Sequence, residues 1–182
     1  MQSFFFPDNT VFVNFAWVNK LDLLKAYLGE RGRLVEAVAY EIGRSSNHVP
    51  HLASLDVPAW FNEVVEFDED SASKAIESIR KHRFGGKEDE PLRHLGESQT
   101  IYAITQIPDF QSSVFVTDDQ AAYTLAKDLG CIVEDTVGVL QRLCANQEIT
   151  GQDAFEIAVA IQKASPEGRK LIVPFSSARD FN

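Results

Sequence analysis

The run Val114-Phe115-Val116-Thr117-Asp118-Asp119 constrains the fold more than any other stretch of the chain. Three apolar, strand-favouring residues end abruptly on a threonine and two acids, as a short strand does when it is buried and then turns into a helix. The preceding stretch, His94-Leu95-Gly96-Glu97-Ser98-Gln99-Thr100-Ile101-Tyr102-Ala103-Ile104, reads as an apolar-faced helix with Glu97 in its first turn. A carboxylate at a helix start and another at the end of a neighbouring strand can converge on one point. Converging carboxylates repel each other unless a cation joins them, and hard divalent ions such as Mg²⁺ prefer oxygen ligands. The pattern therefore points to an acidic metal site on an α/β scaffold.

The N-terminus supplies a third acid. Phe4-Phe5-Phe6 is a short apolar run that stops at Pro7, Asp8-Asn9-Thr10 follows, and Val11, Phe12, Phe15 and Val18 then recur with helical spacing. Strand, acid, helix is the order that brings a side chain to the carboxyl edge of a sheet, where open α/β folds bind ligands. Each acid also has a local structural role open to it: Asp8 as an N-cap, Glu97 as a first-turn acid favoured by the helix dipole. Three acids at three such edges favour a shared site. Of Asp118 and Asp119, one can ligate while the other caps the next helix, because adjacent side chains on a strand face opposite ways. Thr10 or Thr117 can steady a carboxylate through its hydroxyl. Glu41 lies late in a helix whose apolar side carries Val35, Val38, Ala39 and Ile42, and reads either as a solvated helix residue or as a member of the site.

Along the chain, strand and helix patterns alternate. Strands are expected at 3–6, 33–35, 64–67, 114–116 and 131–133. Helices are expected at 11–18, 21–28, 36–42, 58–65, 71–82, 96–105, 119–129, 137–145 and 153–164, with Gly43 ending the third and Ser71 or Asp70 capping the fifth. Residues 45–50 and 85–91 are loop by composition. Such alternation implies a mainly parallel sheet with helices on both faces. The 182 residues, 45% of them hydrophobic, suit one domain over 1–182 with a substantial core.

Several classes are disfavoured. No run approaches the roughly 18 apolar residues of a membrane span, and the N-terminus lacks the pattern of a signal peptide, so a cytoplasmic protein with no membrane partner is expected. Cys131 and Cys144, without CxxC spacing, indicate neither a disulfide framework nor a zinc site, and Cys131 is expected in a core strand. The net charge of −10 argues against coating nucleic acid by bulk electrostatics but is compatible with a carboxylate metal site. The one basic cluster, Arg80-Lys81-His82-Arg83-Phe84, reads as a helix end complementing the dipole, or as an RNA contact through Arg80, Lys81 and Arg83 with Phe84 free to stack. His48, His51 and His94 lack metal spacing and read as loop or surface residues. Gly85-Gly86-Lys87 lacks the rest of a phosphate-binding loop.

In this order and spacing, the chain resembles the PIN-domain family of metal-dependent ribonucleases, in particular its toxin-type branch. The matching segments are Pro7-Asp8-Asn9-Thr10-Val11-Phe12-Val13-Asn14, Ala37-Val38-Ala39-Tyr40-Glu41-Ile42, Leu95-Gly96-Glu97, Val116-Thr117-Asp118-Asp119-Gln120-Ala121-Ala122 and Asp135-Thr136-Val137-Gly138-Val139-Leu140. The resemblance implies a PIN-like three-layer α/β sandwich and an endoribonuclease with Asp8, Glu41, Glu97, Asp118 and Asp119 as catalytic acids. Asp8, Glu97, Asp118 and Asp119 would ligate Mg²⁺ or Mn²⁺, with Thr10 and Thr117 behind them. RNA is the implied substrate, an antitoxin protein the implied partner, and a homodimer a candidate assembly. The inhibitor's apolar helix would rest on residues such as Trp17 and Leu21, unless Trp17 is ordinary core. The chain departs from the pattern at Asn9, Gln120 and Tyr123, where relatives often carry Arg at the last. Those departures support an alternative, a catalytically weak PIN-like module that binds RNA or a protein. A haloacid-dehalogenase-type phosphatase would need an Asp where Thr10 stands.

Overall fold

Short apolar runs become strands in this chain, and the acids that end them become helix caps. The computed structural model describes residues 3–61, 63–164 and 169–181. In chain order its strands are β1 (Phe5–Pro7), β2 (Leu34–Val35), β3 (Val64–Val65), β4 (Val114–Val116) and β5 (Ile132–Glu134). The α-helices are α1 (Asn9–Trp17), α2 (Leu21–Leu28), α3 (Glu36–Ser45), α4 (Val57–Trp60), α5 (Asp70–His82), α6 (Leu95–Gln106), α7 (Gln120–Asp128), α8 (Thr136–Ala145) and α9 (Gly151–Lys163). The architecture is mixed α/β, with the helices packed around small parallel sheets.

All strand pairs are parallel. β1, β4 and β5 form a three-stranded sheet in that order, and β2 pairs with β3. The two sheets meet at β1, where Phe5 bridges Gly32 and the Arg33 N–H donates to the Phe5 carbonyl at 2.8 Å. Strand order therefore runs outward from β1 on one side through β2 and β3, then crosses back so that β4 and β5 lie on the other. That reversal, between β1 and β4, opens a crevice at the carboxyl ends of the strands, the usual ligand position of open α/β sheets. The ladder continues past the strand ends, with Asp8 N–H donating to the Val116 carbonyl at 2.8 Å and Thr117 N–H to Glu134 at 2.9 Å. Asp8 and Thr117 are thus locked beside each other.

The turns after β1, β4 and β5 share one device. Asp8 accepts from Thr10 N, Asp119 from Ala122 N and Asp135 from Gly138 N, each satisfying a free N–H at the start of α1, α7 or α8. One hydrophobic cluster, containing Phe5, Phe6, Phe12, Phe15, Leu24 and Phe115, lies beneath them. The 3-10 helix Ala178–Phe181 returns the C-terminus to this cluster, with Phe181 buried 5.5 Å from the Phe175 ring. β5 is less protected, leaving Ile132 exposed. Cys131 stands just before β5 and is half-buried, not within a core strand. α3 passes through Gly43, which does not take the positive φ of a helix-ending glycine, and ends at Ser45. α5 begins at Asp70 after Glu69, without the side-chain cap expected of Ser71 or Asp70. Among the described residues no helix is long and apolar enough to cross a membrane.

The basic cluster has an architectural part to play. Arg80 is buried, its Nε 2.7 Å and Nη2 2.8 Å from the Glu77 carboxylate, while Nη1 donates to the carbonyls of Lys87 at 3.0 Å and Glu90 at 3.1 Å. The guanidinium thus ties the loop after α5 back onto the helix and is not available to an RNA phosphate. Lys81 pairs with Glu77 and Glu88, and Arg83 is exposed. Phe84 is half-buried and stacks one face on His94, with centroids 5.0 Å apart. Arg80→Met is expected to cost about 2 kcal/mol in urea unfolding, since it strands two carbonyls and a partly exposed carboxylate. Lys81→Met should stay within about 0.5 kcal/mol, as exposed pairs contribute little. Equal effects from the two substitutions would refute this division of roles.

Candidate active site at the carboxyl edge of the sheet

Asp8 is the centre of the arrangement. It is 2% exposed, and its Oδ2 accepts from Thr10 Oγ1 at 2.6 Å, Thr10 N at 3.4 Å and Thr117 Oγ1 at 3.2 Å. Burial raises the proton affinity of its carboxyl, and these donors oppose the rise. Each threonine oxygen also accepts a backbone N–H, Thr10 from Asp118 and Thr117 from Asp119, both at 3.1 Å. Thr10 and Thr117 therefore couple Asp8 to the β4–α7 turn.

Two glutamates approach from the neighbouring helices. Burial, then the charge of Asp8, then those of Glu41 and Asp119 push the Glu97 carboxyl up to about 8. Burial and the Asp8 charge push Glu41 up to about 7, with the Arg44 guanidinium pulling the other way. The approach depends on Gly96. A Cβ there would stand 2.9 Å from Val38 Cγ2 and 3.3 Å from Glu41 Oε1, so the missing side chain lets α3 close on the start of α6. His94, which the sequence reads as a loop or surface residue, is half-buried with its Nδ1 3.4 Å from Glu97 Oε1. Asp119 caps α7 through Oδ1, 2.8 Å from Ala122 N, close enough for its charge to act on Glu97. The charges of Asp8, Glu41 and Asp119 thus all act on Glu97, and that of Asp8 also on Glu41.

Asp118 turns elsewhere. Its Oδ2 accepts from Asn14 Nδ2 at 2.7 Å and Thr136 Oγ1 at 2.5 Å, and its Oδ1 from Thr136 N at 3.1 Å. Burial, with the Asp135 charge adding to it, raises this carboxyl to about 7 against the Thr136 and Asn14 bonds. Arg169 donates to Asn14 Oδ1 through Nε and to the Thr10 carbonyl at 3.4 Å through Nη2. Asn14, Thr136 and Arg169 are site residues that sequence reasoning did not single out. Asn14 carried a signal, a polar residue among the apolar positions of α1; Arg169 carried none.

Among the described residues no three His, Cys, Asp or Glu side chains stand close enough to hold a metal ion as they are. The donor chemistry nonetheless fits a hard cation. The charge of Asp8 raises the proton affinity of both Glu41 and Glu97, a repulsion that a cation among their oxygens would relieve. Asn9 Oδ1, next to Asp8, is buried without a hydrogen-bond partner among the described residues. Comparison of the chain with protein-family models, with characterised proteins and with solved structures found no match.

Proposed function

We propose that the chain is a PIN-like, metal-dependent endoribonuclease that cuts RNA phosphodiester bonds in the cytoplasm using Mg²⁺ or Mn²⁺. The observation that carries this reading is the buried Asp8 carboxylate held by Thr10 and Thr117 at the crevice between β1 and β4, with Glu41 and the start of α6 closing together at Gly96 beside it. Asp8 and Glu97 would hold the ion, with Asp119 beside them, since Asn14 and Thr136 occupy both oxygens of Asp118. A bound ion supplies Lewis-acid chemistry, lowering the pKa of water and stabilising charge on the leaving oxygen. The protein's own contribution is orientation. Thr10 and Thr117 hold Asp8 by Oδ2, and Gly96 admits Glu41 to the same space. Glu97, pushed up to about 8 in the ion-free protein, would release its proton on ligation.

By the same reading the protein is the toxin of a toxin–antitoxin pair, restrained by an inhibitor that places an Arg among the carboxylates. Trp17 and Leu21 pack partly against the core, so they offer such a partner only part of their surface. The purified protein should cut single-stranded RNA with Mn²⁺ or Mg²⁺ and stop on chelation. No cleavage across single-stranded and structured RNAs would replace the enzyme with an RNA- or protein-binding module. Harmless expression, with no binding by the neighbouring gene product, would remove the toxin role alone.

A further inference from the structure

α3 carries Glu36, Tyr40 and Arg44 at four-residue intervals, so these side chains succeed one another along one side of the helix. Together with Glu41 and Asn9 they line a cleft of about 790 Å³. Leu92, Arg93, Leu95 and Gln99 contribute from α6 and the loop before it, and His48 lines it as well. The cleft is continuous with the acids through Glu41 and Asn9. Its lining is unusual for this molecule in its exposed apolar side chains. Tyr40 is 55% and Leu92 43% exposed, whereas most large apolar side chains of the described residues are in or against the core. Arg44 is exposed and, like most Lys and Arg side chains among the described residues, has no ion pair, so its guanidinium is open to a ligand in the cleft. Arg93 pairs only with Glu90, at 3.0 Å and largely in solvent.

We infer that this cleft seats the single-stranded RNA segment adjoining the bond to be cut, with Arg44 and Arg93 on its phosphates and Tyr40 stacked on an unpaired base. The inference rests on the ribonuclease reading of the acids. A polyanion is repelled by most of a surface with a net charge of −10, whereas the cleft lining balances Arg44 and Arg93 against Glu36 and Glu41 and so repels it less. An exposed aromatic ring beside cations is how proteins hold unpaired bases without reading their sequence, because every base has a π-face. A duplex keeps its bases stacked internally and offers Tyr40 nothing to cover.

The test uses the full chain carrying Asp8→Asn, which binds without cutting, and a short fluorescein-labelled single-stranded RNA of mixed sequence followed by anisotropy. Tyr40→Ala and Arg44→Ala should each weaken binding by about tenfold. Tyr40→Phe should restore it, and Lys74→Ala on α5 should change nothing. Arg44→Ala should also reduce the slope of log affinity against log salt by roughly one, while Tyr40→Ala leaves that slope alone. Both α3 positions are exposed, so thermal unfolding should be unchanged. Affinities within about twofold for both alanine variants, equal binding of the matching duplex, or no RNA binding at all would overturn the inference. Wild-type cleavage with unaltered binding in the α3 variants removes the cleft and leaves the ribonuclease. RNA held through Tyr40 and Arg44 but never cut does the reverse.

Discussion

Asp8→Asn is expected to lower RNA cleavage by about a thousandfold while the protein stays folded. A neutral amide is a poor ligand for a hard cation, yet it has the shape of the carboxylate and keeps an oxygen for the Thr10 and Thr117 hydroxyls. Removing the Asp8 charge also relieves Glu97 and Glu41, so the ion-free variant should be no less stable than the wild type. Asp118→Asn should behave in the opposite way. Its carboxylate receives Asn14 Nδ2, Thr136 Oγ1 and Thr136 N, and an amide there turns an NH₂ toward groups that donate. The expected loss is about 1–3 kcal/mol of stability, with cleavage at permissive temperature kept within about tenfold. Initial rates with Mn²⁺ and thermal unfolding of both variants decide between the two acids. If Asp118→Asn abolishes cutting at unchanged stability and Asp8→Asn does not, the ion belongs on the Asn14 side.

In chelator, the protein should lose stability as pH rises from about 5 to about 9. Glu97 and Glu41 ionise near 4.5 when unperturbed, but are raised in the folded protein to about 8 and about 7. Between those limits the folded state binds more protons than the unfolded one, so the unfolding free energy falls with pH. The stabilisation is complete below about 4.5 and is lost as pH passes through about 8. Asp118, raised to about 7, acts with the same sign. Partial exposure of Glu41 and the mutual coupling reduce the sum, leaving a drop on the order of 3 kcal/mol. Mg²⁺ or Mn²⁺ should oppose it, stabilising the protein more above pH 7 than below pH 6, because protons and metal compete for the same oxygens. Glu97→Gln should flatten the profile. A melting temperature in chelator that is level or rises over this range would contradict the coupled-acid description.

The turns were legible because their chemistry is local. An acid directly after a short apolar run can accept from an N–H two or three residues on, and Asp8 and Asp119 do this whatever the rest of the chain is doing. The same locality explains why the helix at 21–28 and the strand at 114–116 lie where periodicity puts them. Gly43 shows the limit of such reasoning. A glycine can end a helix, but only by turning to a positive φ, which Gly43 does not adopt, so α3 continues to Ser45.

Tertiary structure decided what depended on distant partners. Arg80, Lys81 and Arg83 look alike in the sequence, yet Arg80 alone is buried, because a loop from residues 85–90 folds back and presents two carbonyls to it. Asp118 and Asp119 are adjacent and chemically identical. They part because Asn14 and Thr136, from α1 and α8, capture the first, while the second is left to cap α7. Arg169 enters the site from 155 residues beyond Asn14, which no spacing rule could anticipate. The sequence by itself determined the run of strand, acid and helix, because side-chain periodicity and capping act over a few residues. Only the tertiary structure decided that β4 lies beside β1 and that α6 closes on α3 at Gly96, because strand order and helix packing are set by burial between segments far apart in the chain.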